Sequence, residues 1–171
     1  AIYFDPEGYT TSGPKLMGRN AAGEAFLRGF IKYSSQEQFV LSVESAEADL
    51  VFKEAQRRYG VNKPLKLISS TNYGAHAKSG ELYFPSPGIG QLAHKRAAFG
   101  HRSWSLTGIT HTTSSAGAMD SLAELITAPV MEWDAVICTS TAVRNNVLNV
   151  LQAQLDYFAE RFGITKFVQP Q

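Results

Sequence analysis

Cysteine is all but missing from this sequence. Cys138 stands alone, so no disulfide forms within the chain, and its place in the apolar run Ala135-Val-Ile-Cys-Thr reads as a buried strand position and not a reactive thiol. A reducing compartment fits, and a cytoplasmic location is expected, with contact at the inner face of a membrane left open. An excess of either charge is missing too. Sixteen Lys and Arg against fifteen Asp and Glu leave a net charge of +1, which creates no field to draw in nucleic acid. No run of about 18 apolar residues is present that would span a bilayer, and no basic-then-apolar leader opens the chain.

What is present is enough for one core. With 171 residues and 44% hydrophobic composition, a single domain over 1–171 is expected. Short apolar strand patterns alternate with helical ones. Strands are expected at Ile2 to Phe4, Phe39 to Val43, Leu65 to Ile68, Glu81 to Phe84, Ser105 to Thr110 and Ala135 to Thr139. Between and after them, helices are expected from about Arg19 to Lys32, Ser45 to Tyr59, Ile89 to Phe99, Ser114 to Ile126 and Thr141 to Phe162. Gly60, Gly100 and Gly163 stand where helix-terminating glycines belong. This alternation predicts βαβ units with right-handed crossovers: an α/β, Rossmann-like three-layer sandwich around a mostly parallel sheet. The ending Phe167-Val-Gln-Pro-Gln stops where a further strand or linker is expected, so the chain reads as part of a longer protein.

In an open parallel sheet, ligands collect beyond the carboxyl ends of the strands, where loops and helix N-termini present free N–H groups. The first such loop, Thr10-Thr-Ser-Gly-Pro-Lys-Leu-Met-Gly-Arg-Asn, joins two glycines, hydroxyls and two cations ahead of a helix. It suits a diphosphate or a sugar, or it is a solvated surface loop. It is not a P-loop, because Lys15 precedes the second glycine instead of following it. Gly88-Ile-Gly-Gln-Leu-Ala93 matches the dinucleotide pattern literally. About twenty residues on, however, His111 and Thr112 stand where a ribose-binding acid is required, so a turn into a helix is the better reading. No serine has glycines two residues away on both sides, which argues against a serine hydrolase.

The stretch "GITHTTSSAG" places His111 at the end of a strand, with Thr112, Thr113, Ser114 and Ser115 offering helix caps behind it. An imidazole there is suited to a sugar hydroxyl or a phosphate oxygen, with charge available near neutral pH; a capping or core role is the alternative. His76, His94 and His101 have no metal-ligand spacing and read as surface residues. At the sixth strand, Cys138-Thr-Ser-Thr-Ala-Val-Arg144 repeats the arrangement: hydroxyls at the strand end, then an arginine in the first helical turn for an anion or a nearby carboxylate. Tyr9, Tyr73 and Tyr83 lie near loops, where they would either stack on a sugar or pack in the core.

Taken in order, "AIYFD", "TTSGPKLMGRNAAGEAFLRGF", "GITHTTSS" and "MEWDAVICTSTAVRNNV" resemble the amino-terminal domain of glycosyltransferase family 4, the retaining enzymes of the two-domain GT-B architecture. The resemblance spans nearly the whole chain. It implies transfer of a sugar from a nucleotide-sugar donor to a glycan, lipid or small-molecule acceptor, in a cleft between this acceptor-side half and a nucleotide-binding carboxyl-terminal domain. Ser12, Gly13, Lys15 and Gly18 would then approach the donor diphosphate or the acceptor. His111 would act on the transferred sugar as the catalytic residue, with Thr112, Ser140 and Arg144 completing the substrate contacts. The scheme stabilises a departing nucleotide diphosphate electrostatically and requires neither metal nor cofactor.

The family's paired glutamates belong to its second domain. Glu124 and Glu132 share that spacing but lie in the wrong half, and they read as surface residues. On this reading the 171 residues alone are inactive. The alternatives from other classes are a stand-alone glycan or phosphosugar binding module, and a nucleotide-cofactor oxidoreductase domain built on Gly88 and Gly90.

Overall fold

The computed structural model describes residues 1–10, 18–111, 113, 115–168 and 170, with Arg19 described only in its backbone. It is an α/β protein whose six-stranded parallel sheet, in the order β3-β2-β1-β4-β5-β6, is flanked by helices. This is the Rossmann-like layered architecture that the alternating pattern predicts. Its contacts divide the chain into two compact units, Ala1–Leu82 and Tyr83–Gln171.

The first unit opens with β1 (Ile2–Tyr3), a single 3-10 turn (Pro6–Tyr9) and α1 (Gly18–Tyr33), then β2 (Phe39–Val43), α2 (Ala48–Arg58), β3 (Leu65–Ser69) and α3 (Tyr73–Ser79). The next strand, β4, runs Glu81–Tyr83. β2 lies between β1 and β3, with Leu41 opposite both Ile2 and Leu67. Phe39, Leu41 and Val43 alternate toward a core that β-branched and aromatic residues fill readily. An aromatic chain runs through it: Phe4 stacks on Tyr9 at 5.0 Å and meets Phe52 edge-on at 5.4 Å, and Phe52 meets Phe39 at 5.4 Å.

Helix α1 sits directly on the 3-10 turn. A Cβ at Gly23 would stand 2.1 Å from the Gly8 carbonyl oxygen, so only glycine permits the approach. At the far end of α1, Lys63 donates from Nζ to the carbonyls of Ser34 and Gln36, at 2.7 and 2.9 Å, and lies 5.4 Å from the Phe39 ring centroid.

Helix α3 was not expected from the sequence. Asn72 caps it by accepting from the Ala75 N–H at 3.1 Å, and Gly80, at φ 74°, ends it. This short helix turns His76 inward, which corrects the surface reading of that residue. His76 is 2% exposed, and its Nε2 lies 3.0 Å from the Ser42 hydroxyl of β2. Burial lowers its pKa below the ordinary value, with the positive N-terminus adding in the same direction. Tyr9 is also buried and donates to the Tyr3 carbonyl at 2.8 Å, so it packs in the core and is no sugar platform.

The second unit carries α4 (Gly90–Ala97), β5 (Ser105–Thr110), α5 (Ala116–Thr127), β6 (Ala135–Cys138) and α6 (Thr141–Phe162). Leu106, Ile89, Leu122 and Leu125 form its apolar centre, and Tyr83 is buried as well. Beside them lies a fully buried ion pair. Arg96 donates to Asp134 through both terminal nitrogens, at 2.5 and 2.7 Å, and also to the carbonyls of Trp104 and Pro129. Asp134 in turn accepts from the backbone N–H groups of Leu106 and Met131, each at 2.8 Å. A buried charge is tolerable only when paired in this way, and here both terminal nitrogens of Arg96 are paired while its buried Nε has no partner among the described residues.

β6 is an edge strand with Ile137 44% exposed. Cys138 on it is therefore half-buried and not enclosed as the apolar run implied. Among the described residues, no helix is long and apolar enough to cross a membrane.

Candidate functional site

The site begins with the register of two strands. β5 and β6 run parallel with Thr110 opposite Cys138, so His111 and Thr139 leave the sheet at the same level. Thr110 ties those ends together: fully buried, it donates from Oγ1 to the Ile137 carbonyl at 3.2 Å. Two positions earlier, Gly108 explains the glycine in "GITHTTSS". A Cβ there would stand 2.7 Å from the Ser86 carbonyl oxygen and 3.0 Å from Ile89, so the segment after β4 crosses the strand only because that carbon is absent.

His111 is half-buried at the end of β5. Burial lowers its pKa, so near neutral pH the ring is uncharged. This corrects the expectation of a ring poised to carry charge there: the group offers one N–H and one lone pair instead of a cation. Its Nδ1 is shielded from solvent and has no hydrogen-bond partner among the described residues.

Behind it, α5 begins at Ala116, two residues later than expected. Ser115 is the cap, its Oγ accepting from the Ala118 N–H at 3.2 Å. Thr112, assigned to substrate, lies outside the described residues.

At the neighbouring strand end, Ser140 caps α6. Its Oγ accepts from the Val143 N–H at 3.2 Å and its carbonyl accepts from the Arg144 N–H at 2.9 Å. The Ser140 hydroxyl thus has a structural task, with its own proton still available to a ligand. Arg144 is exposed in the first turn of α6 and forms no ion pair among the described residues. Helices α5 and α6 touch beyond their starts, with Asn146 Nδ2 in the second turn of α6 lying 4.0 Å from Met119 Sδ. The strand register thus sets His111, at the end of β5, beside the strand end from which the capped start of α6 leaves, with Arg144 exposed and without an ion pair among the described residues. Helix N-termini and a guanidinium favour negative charge, and the ring and hydroxyls suit a polyol.

Other assigned residues are not part of this arrangement. Ser12, Gly13 and Lys15 lie outside the described residues. Gly18 opens α1, exposed, and a Cβ on it would meet nothing within 4 Å, so no close approach demands glycine there. The Gly88 N–H bonds to Ser86 Oγ at 3.3 Å. A Cβ at Gly90 would lie 2.9 Å from the Glu124 carboxylate carbon, so that glycine serves the packing of α4 on α5. Glu124, which also accepts from Gln91, is thus half-buried, whereas Glu132 is exposed as expected. A carboxylate standing beside the start of α4 opposes the pyrophosphate that the dinucleotide pattern would place there.

Among the described residues, no three His, Cys, Asp or Glu side chains are grouped to hold a metal ion. Comparison with protein-family models, with curated proteins and with solved structures finds no match to this chain.

Proposed function

We propose that this chain is the acceptor-side half of a retaining glycosyltransferase, one that moves a sugar from a nucleotide-sugar donor to a glycan, lipid or small-molecule acceptor. The observation that carries the proposal is His111: an uncharged, half-buried imidazole at a strand's carboxyl end, with Nδ1 unpartnered among the described residues, beside the strand end from which the capped start of α6 leaves. A neutral ring suits a sugar, because it exchanges hydrogen bonds with hydroxyls without attracting a counter-ion. Arg144 and the start of α6 meet the phosphate of a donor or a phosphorylated acceptor.

The residues act by binding and orientation. His111 holds a sugar hydroxyl, and the guanidinium offsets negative charge as the nucleotide diphosphate departs. The nucleotide itself falls to a second domain, as the family resemblance implies, so the 171 residues bind but do not turn over.

The test is saturation-transfer NMR with UDP-glucose, GDP-mannose and the parent sugars, on the wild-type chain and on His111→Ala and Arg144→Ala. Saturation of sugar protons that falls about tenfold in the His111 variant supports the reading. Failure of every sugar and nucleotide sugar to bind overturns it. A chain extended beyond Gln171 then separates the classes: transfer marks an enzyme, and binding without transfer marks a glycan-binding module.

A further inference from the structure

At the opposite end of the second unit's strands, two turns lead into β5 and β6. The first follows α4: Gly100 turns at φ 103°, the Ser103 N–H bonds to the Gly100 carbonyl at 3.1 Å, and Ser103 Oγ donates to the Phe99 carbonyl at 2.7 Å. The second is closed by the Asp134 N–H to the Met131 carbonyl at 2.9 Å, and Asp134 is the residue that Arg96 grips from within the core. Both turns are thus fixed from inside.

Between them lies a cavity of about 560 Å³. Met131, Trp133 and Val168 give it an apolar lining, and His101, Arg102 and Glu132 supply its polar groups. The Arg102 guanidinium lies 5.6 Å from the Trp133 ring centroid, which holds it over the aromatic surface. Neither Arg102 nor Glu132 forms an ion pair among the described residues. Trp133 Nε1 is shielded from solvent and has no hydrogen-bond partner among the described residues. A cation and an anion of the protein, neither in an ion pair among the described residues, therefore line one cavity together with apolar side chains.

A ligand that complements this set carries both charges and an apolar body. A simple carboxylate would satisfy Arg102 but meet Glu132, and a simple amine would do the reverse. We propose that this cavity is a binding site for an apolar α-amino acid, its carboxylate on Arg102, its ammonium on Glu132 and its side chain against Met131, Trp133 and Val168. Bidentate pairing of guanidinium with carboxylate supplies direction, and the apolar lining supplies affinity through burial. The inference stands independently of the glycosyltransferase reading, since it uses none of that site's residues.

The experiment follows the Trp133 indole N–H in proton–nitrogen NMR of the 171-residue chain, the signal being assigned with Trp133→Phe. L-Phenylalanine, 3-phenylpropionate and 2-phenylethylamine are titrated separately. L-Phenylalanine is expected to shift the signal with a Kd of about 1 mM or tighter, and each single-charge analogue is expected to bind about tenfold more weakly. Arg102→Gln should weaken L-phenylalanine and 3-phenylpropionate alike. Glu132→Gln should weaken L-phenylalanine but not 3-phenylpropionate. Both substitutions lie at exposed positions, and an unchanged melting temperature confirms that the fold persists. No shift with L-phenylalanine at about 50 mM, equal binding of all three compounds, or indifference to both substitutions overturns the proposal.

Discussion

Arg96 and Asp134 are paired end to end with neither side chain exposed, and the contacts of that pair join two stretches of the second unit, residues 104–106 and 129–131. Through Asp134 the pair reaches the first residues of β5 and the turn before β6, and through Arg96 it reaches the Trp104 and Pro129 carbonyls. Losing one partner strands a charge in the core. Arg96→Met is expected to cost about 3–5 kcal/mol in urea unfolding. Adding Asp134→Asn should recover part of that loss, because the stranded charge is gone while an acceptor remains for one of the two backbone N–H groups, those of Leu106 and Met131. A double variant as unstable as the single one would show that charge is not the cause.

Two glycines of α1 predict opposite outcomes for the same substitution. At Gly23 a new methyl would stand 2.1 Å from the Gly8 carbonyl oxygen, whereas at Gly29 it would meet nothing within 4 Å. Gly29→Ala should therefore stabilise by about 0.5–1 kcal/mol, through helix propensity alone. Gly23→Ala should destabilise by about 1–3 kcal/mol through overpacking. Thermal melts of the two variants decide it.

Acid should weaken the fold through His76. Its folded pKa lies below the ordinary 6.5 because of burial, so the unfolded chain takes up a proton first as pH falls. The stability contributed is complete above pH 6.5 and is lost progressively below it. His111 shares the direction of shift, so it adds a smaller or larger share of the same loss. Urea midpoints at successive pH values should fall on acidification in the wild type and fall less in His76→Gln.

Ser140→Ala separates structure from recognition at the candidate site. Losing the cap should cost about 1 kcal/mol in unfolding, whereas His111→Ala should weaken sugar binding with little change in stability. Denaturant melts read beside the NMR titrations test the contrast. Equal loss of stability in both variants would mean that the imidazole is a packing residue.

The strands were legible because parallel, doubly covered strands are short and mostly apolar, as Phe39 to Val43 is, whereas Ser105 to Thr110 shows it less plainly, with Leu106 and Ile109 set among hydroxyls and a glycine. Helix α3 was not, since Tyr73–Ser79 has too few residues to display a period and its only signals are Asn72 ahead and Gly80 behind. His76 went astray with it: a histidine in a polar stretch looks solvated until a short helix turns it onto Ser42. Cys138 was misjudged for the converse reason, because an apolar run cannot reveal that its strand lies at an edge. The position of His111 just past a strand end could be read from the sequence, but its lowered pKa depends on burial, which no pattern displays. The cavity at Arg102 and Trp133 left no pattern at all, being assembled from two turns some thirty residues apart in the chain.

Lys63 has a consequence for chemical labelling. Its amine is engaged by two carbonyls and an aromatic face, unlike a solvated lysine such as Lys53, which pairs with Asp49 at 2.8 Å on the exposed face of α2. Acylating reagents need the free, deprotonated amine, so modification at this position must first release it from the Ser34 and Gln36 carbonyls just beyond α1. Lys63 should therefore be among the last lysines of the first unit to react, and its rate of acylation becomes a clock for that release.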